Sequence, residues 1–113
     1  MNIIIVGAGK FGSLLASQLC QEKHNVIVID KNQNIIEKLI QELDVQVVCG
    51  NGASYETLKI AECEKADVVI ASTSQDEVNI LSCLVAKKLV QRKLLRVYEI
   101  LNMLRKVQLL TNN

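Results

Sequence analysis

Hydrophobic residues fall along this chain in short β-branched runs that alternate with longer stretches at helical spacing. Ile3 to Val6 is such a run, closed by glycine, and predicts a buried strand. Apolar residues at Phe11, Leu14, Leu15 and Leu19 predict a helix from Phe11 to Glu22. Val26 to Ile29, closing at Asp30, predicts a second strand. Ile35, Ile36, Leu39, Ile40 and Leu43 mark a second helix. Val45 to Cys49 predicts a third strand, followed by the turn Gly50-Asn51-Gly52. A short helix is expected from Ser54 to Ala61, then a fourth strand from Asp67 to Ala71 and a polar loop, Ser72-Thr73-Ser74. Asp76 is expected to N-cap a helix whose apolar face carries Val78, Leu81, Leu84, Val85 and Leu89.

Four strand–helix alternations with short connections predict an α/β fold. The expected architecture is a Rossmann-like parallel sheet with helices on both faces and right-handed crossovers. Residues 1–90 form the expected domain. Residues 91–113 stand apart as an atypical tail, expected to add a fifth strand (Leu94 to Tyr98) and an amphipathic helix (Ile100 to Leu110).

Composition narrows the classes. The chain has 113 residues, which suits one domain. Half of them are hydrophobic, with a formal net charge of +1, so no whole-chain field favours nucleic acid or an anionic surface. Phe11, Tyr55 and Tyr98 are the only aromatics, too few to stack single-stranded bases. No apolar run approaches the roughly 20 residues that span a bilayer, so membrane insertion is not expected. The start lacks the basic segment of a signal peptide, and a cytoplasmic location is the expectation. The four cysteines, Cys20, Cys49, Cys63 and Cys83, have no CxxC pairing and are expected as reduced core residues rather than metal ligands.

The segment Gly7-Ala8-Gly9-Lys10-Phe11-Gly12 matches GxGxxG, and here it follows a strand and opens a helix. In that setting Gly7 permits the tight turn, Gly9 removes a side chain where a pyrophosphate approaches, and Gly12 lets the helix pack closely on the strand. The free amides of the first helical turn then face the phosphates. Asp30 ends the second strand 23 positions after Gly7, where a carboxylate accepts from the ribose hydroxyls of adenosine. A carboxylate there repels a 2′-phosphate, favouring NAD(H) or ATP/ADP over NADP(H), although the adjacent Lys31 softens that exclusion. Ser72 and Thr73, after the fourth strand, are candidates to reach phosphates or a second ribose, or else serve only as a loop and helix cap. Asn51 and Gly52 are expected near the adenine, or else simply form a turn.

Other polar residues carry less. His24 sits in a turn at the end of the sheet away from the ligand and is expected to be solvent-exposed. Ser72, Thr73 and Ser74 have no histidine to activate them. Asp76 and Glu77 at a helix start are accounted for by the helix dipole. No catalytic role is expected, so the chain is not expected to be an enzyme. The enzymatic alternative is the cofactor domain or fragment of an NAD-dependent dehydrogenase.

These residues also carry a resemblance. Asn2 through Gly12 is similar to the start of the nucleotide-binding N-domain (RCK/KTN type) of Trk and Ktr potassium-uptake regulators. Val28-Ile29-Asp30-Lys31 resembles its second strand, and Val47 through Ala53 its "V-x-G-D-G/A" turn. Asp67 through Asn79 resembles its "A-D-x-x-I-A-x-T-x-x-D-E-x-N" segment. The resemblance implies a cytoplasmic regulatory subunit, peripheral to the inner face of the cell membrane. It would form homodimers or rings beneath a potassium translocator and gate it through nucleotide exchange. It places Gly7, Gly9, Gly12 and Asp30 on the nucleotide, with Asn51 and Thr73 lining the pocket. The family often carries arginine where Lys10 stands, and aspartate where Asn51 stands.

The tail departs from that pattern. The family continues into a fifth strand of the type "K-K-x-I-A-R-V-x-N-x-E-Y". Permitted codons for this tail, shifted by one base from the end of the Val90 codon, spell Ala-Lys-Lys-Thr-Ile-Ala-Arg-Val-Arg-Asn-Thr-Glu-Tyr-Ala-Lys. A frameshift near Leu89–Val90 is the expectation this raises, with a divergent native tail as the alternative. The coding DNA checks it: the expected result is a sequence that spells this segment in the shifted frame. A sequence that cannot do so removes the idea.

Overall fold

A run of four apolar residues can be buried on both sides only if layers cover both faces of its sheet, and the central strand is placed in that way. The computed structural model describes residues 1–111. Strand β1 (Asn2–Val6) lies between β2 (Asn25–Asp30) and β4 (Val68–Ala71), and β3 (Gln46–Cys49) flanks β2. All pairings are parallel, with Ile4 beside Ile27 on one side and Val69 on the other. The order is β3-β2-β1-β4. The chain reverses direction across the sheet between β1 and β4, which is where doubly wound folds open a crevice.

Two cores follow from the alternation along β1. Ile3 and Ile5 face one layer with Val26, Val28, Ala16 and Leu39, under helices α1 (Lys10–Gln21) and α2 (Gln33–Glu42). Ile4 and Val6 face the other with Ile29, Leu58, Cys63, Ala86 and Leu89. That layer holds α3 (Tyr55–Ile60), a 3₁₀ turn (Cys63–Lys65) and α4 (Asp76–Thr111). Helices on both faces explain why the strands are nearly continuous in apolar residues instead of alternating. The expected α/β Rossmann-like architecture is the one observed.

Helix starts are set by local chemistry. Asn32 caps α2, its side-chain oxygen accepting from the Asn34 and Ile35 amides, and Ser54 caps α3 through Thr57. The expected cap at Asp76 is corrected. Asp76 is the first residue of α4, and the first helical bond runs from the Asn79 amide to the Gln75 carbonyl.

The apolar faces also need correction. Phe11 and Leu14 are 63% and 71% exposed, and Ile40 is exposed as well. Helix α1 meets the sheet through Gly12 and Ala16, small residues that bring its backbone close and turn the larger ones outward. On α4, Leu81 and Leu84 are about half exposed, while Ser82, Ala86 and Leu89 lie in the core. The cysteines are not all interior. Cys63 is buried and Cys20 half-buried, but Cys49 and Cys83 are exposed. Burial pushes the Cys63 thiol pKa up, helped by Glu64, and burial with Asp44 does the same for Cys20. His24 is half-buried rather than exposed, its Nδ1 3.0 Å from the N-terminal amine.

The expected fifth strand at Leu94 to Tyr98 is replaced by helix: α4 runs unbroken through that segment to Thr111. Between Asp76 and Thr111 there is no glycine or proline to stop it, and the Leu, Lys, Arg and Gln around residues 91–96 favour helix. Among the described residues, the outer edge of β4 pairs with no strand. No helix of the described residues is long and apolar enough to cross a membrane.

One buried group stands out. Ser82 is fully buried and its hydroxyl has no hydrogen-bond partner among the described residues. A buried, unpaired hydroxyl costs about 1–3 kcal/mol. Ser82→Ala is therefore expected to raise unfolding free energy by about 1 kcal/mol in a urea titration. A loss of stability would show that the hydroxyl has an acceptor.

Candidate functional site

The carboxyl ends of all four strands open into one cleft of about 440 Å³. The turn after β1 contributes Gly7 and Gly9, the end of β2 contributes Asp30, Lys31 and Asn32, and the turn after β3 contributes Gly50, Asn51 and Gly52. The β4–α4 loop supplies Ser72 through Gln75. A larger hollow of about 630 Å³ lies at the amino ends of the strands, between Asn2, His24, Asp44 and Lys65. Carbonyl ends of helices and mixed side-chain charges surround it. The starts of α1, α2 and α4 line the carboxyl-end cleft instead, and helix amino termini favour anions.

The three glycines each meet a different constraint. Gly7 has φ +106°, a conformation that side chains rarely adopt, and a Cβ there would sit 3.0 Å from the Ser72 and Thr73 backbone. A Cβ on Gly12 would overlap the Gly7 carbonyl oxygen, so α1 can lie this close to the turn only without a side chain at Gly12. Gly9 is the opposite case: its missing Cβ points into open space, with no atom within 4 Å, at the lip of the cleft. The first intrahelical bond of α1 runs from the Ser13 amide to the Gly9 carbonyl at 2.9 Å. Gly9 offers no side chain to cap the preceding amides of Lys10, Phe11 and Gly12, and an anion at the lip would supply the missing acceptor.

Asp30 joins the turns. Its carboxylate accepts from the Ala8 amide at 2.8 Å and, through the other oxygen, from the Asn32 amide at 2.8 Å. Each oxygen keeps a further lone pair for a ligand hydroxyl. Asn51 lines the cleft while its side-chain oxygen accepts from the Ala53 amide at 2.9 Å, which shapes the turn. Gly52 packs on Val6, where a Cβ would collide. The Ser72 hydroxyl lies 3.3 Å from the Val6 carbonyl and ties β4 to the glycine turn.

Of the expected site residues, Gly7, Gly9, Asp30, Lys31, Asn51, Gly52, Ser72 and Thr73 line the cleft. Ala8, Lys10, Phe11 and Gly12 do not. Ala8 is buried, and Lys10 and Phe11 are exposed outside the cleft. Asn32, Ile35, Ser74, Gln75 and Val78 also line the cleft but were not expected there. Ile35 and Val78 lie on the first turns of helices, where apolar periodicity assigns them to the core. Their proximity to strand ends was the signal available.

A parallel sheet with this crossover, a positive-φ glycine, a helix packed through glycine and a carboxylate at the end of β2 together define a Rossmann-type nucleotide-binding domain. The particular family is given by sequence: the TrkA-N domain profile matches residues 3–111, and the chain belongs to that family. A Trk system potassium uptake protein TrkA homolog from Methanothermobacter thermautotrophicus is 38% identical over 88 residues, 78% of this chain and 41% of that protein. The corresponding homolog from Archaeoglobus fulgidus is 47% identical over 88 residues, 78% of this chain and 20% of that one. The chain thus spans less than half the length of these relatives. Among solved structures, the Kef C-terminal domain of Shewanella denitrificans in AMP-bound form superposes with a TM-score of 0.66 at 19% identity, covering 78% of this chain and 51% of that one. The TrkA-N domain of the Escherichia coli inner membrane protein ybaL gives 0.58 at 19%, covering 85% and 95%. At such identities these two establish the fold alone.

The glycine geometry separates two substitutions by stability. Gly12→Ala is expected to cost several kcal/mol, on the order of an overpacked core site, because backbone must move. Gly9→Ala, with open space ahead of it, is expected to stay within about 1 kcal/mol of the original. Thermal unfolding of both variants checks this, and equal losses would contradict the assigned roles.

Proposed function

We propose that this chain is the regulatory nucleotide-binding domain of a Trk-type potassium-uptake system, taking NAD(H) or ATP/ADP in the carboxyl-end cleft. The observation that carries the reading is the open Cβ position of Gly9 beside the uncapped amides of α1, with the Asp30 carboxylate in the same cleft. Phosphates sit on the amides. Ribose hydroxyls of the adenosine half donate to Asp30, and the adenine lies toward Lys31, Asn51 and Gly52. Ser72 and Thr73 wall the cleft on the β4 side, where the remainder of a dinucleotide would run.

Family membership and the named relatives support the wider setting. In it the domain is cytoplasmic, peripheral to the inner membrane face, and assembled as a homodimer or ring against a membrane potassium translocator. Ligand-dependent change of shape then gates transport. The AMP in the Shewanella neighbour supports an adenine nucleotide as the ligand class. A dehydrogenase role is not favoured. His24, the only histidine of the chain, lies at the amino ends of the strands, across the sheet from the cleft.

Thermal unfolding with NADH, NAD, ATP, ADP or NADPH, each alone, tests the reading. A ligand at 100 times its dissociation constant adds about 2.7 kcal/mol to the native state. The expected result is stabilisation by NADH or ATP, little by NADPH, and loss of the effect in Asp30→Ala. A cooperative melt that no nucleotide moves overturns the binding role.

A further inference from the structure

The β4–α4 loop forms one wall of the cleft, and a single side chain from the first turn of α4 holds it. The Asn79 side-chain oxygen accepts from the Thr73 amide at 3.0 Å and from the Thr73 hydroxyl at 2.6 Å. Its Nδ2 donates to the Thr73 carbonyl at 3.1 Å. One amide thus engages the N–H, the O–H and the C=O of Thr73 together. The Thr73 hydroxyl oxygen also accepts from the Gln75 amide at 3.2 Å, which fixes the next residues of the loop. A side-chain amide suits this task because it presents a donor and an acceptor side by side, as a peptide does. Both residues are half-buried, and Asn79 itself does not line the cleft.

We infer that Asn79 is a positioning residue for the nucleotide, acting through Thr73 to hold the Ser72–Gln75 wall in place against the glycine turn. This rests on the nucleotide reading of the cleft and adds to it a dependence on ligand length. The strand order puts Asp30 and Asn51 on one side of Gly9 and Thr73 on the other. A mononucleotide reaches from Asp30 to the amides at Gly9. A dinucleotide must continue along the wall that Asn79 holds. The wall is also carried by α4, so the position of the helix and the width of the cleft are linked.

Isothermal titration of the full chain with NADH and with AMP tests this on four proteins: the original, Asn79→Ala, Thr73→Ala and the double variant. Asn79→Ala is expected to weaken NADH about tenfold, the effect of releasing one ordered loop, and AMP less than about twofold. The double variant is expected to bind NADH no more weakly than Thr73→Ala, because the two act as one unit. If Asn79→Ala does not melt cooperatively, Asn79→Ser replaces it, with the same pattern expected. Unchanged NADH affinity, equal weakening of both ligands, or additive losses in the double variant would each overturn the inference while leaving the nucleotide site standing. An original chain that binds AMP but not NADH overturns the inference alone; one that binds neither, and that ATP and ADP do not stabilise either, overturns the nucleotide reading with it.

Discussion

The contact between the Gly7 carbonyl and the backbone of Gly12 is the constraint on which the rest depends. It sets the distance between α1 and β1, and no side chain fits between them. Because α1 approaches so closely, its amino terminus lands directly above the end of the central strand. Its first turn starts from Gly9, on the lip of the cleft, with no side-chain cap. The same approach leaves Phe11 and Leu14 outside, since Gly12 and Ala16 occupy the face toward the sheet. An uncapped helix start at the cleft and an exposed apolar helix surface are thus two results of one packing decision.

Asp30 extends that constraint across the sheet. By accepting from Ala8 and Asn32 it locks the glycine turn to the start of α2, so two separate strand ends behave as one rigid rim. Charge-assisted bonds to amides are stronger than neutral ones, and here they orient the carboxylate before any ligand arrives. On the other side, Ser72 bonds the β1 end and Asn79 bonds Thr73. Each strand end is held by a polar contact to a neighbour, and the cleft is what remains between these ties. This arrangement accounts for a preformed pocket in a chain whose loops are only a few residues long. It also gives membership in the TrkA-N family a physical content, since the elements that hold the cleft are the motifs by which the family resemblance is recognised.

Much of this was legible in the sequence. The four strands and the first three helices follow from periodicity, and the glycine turn with Asp30 follows from spacing, because these depend on neighbours near in sequence. The tail was not legible in the same way. Leu94 to Tyr98 looks like a strand if a parallel sheet is assumed to continue. The local preferences of residues 91–96 and the absence of any stop signal instead carried α4 onward to Thr111. Similarly, Thr73 looked available to a ligand, but its polar groups are engaged by Asn79, six positions later on the next helix.

The sequence by itself determined the α/β order, the buried β-branched strands and the three glycines with their acidic partner. Each is written in local pattern, and each is a backbone requirement that few residue types satisfy. Tertiary structure alone decided which helix faces are buried, which cysteines are interior, and which polar groups of the cleft are already paired. Those outcomes depend on how closely two elements approach, and that distance is set by contacts that periodicity does not fix: the backbone of Gly12 against Gly7 and, between residues far apart in the chain, Gly52 against Val6 and Ser72 against the end of β1.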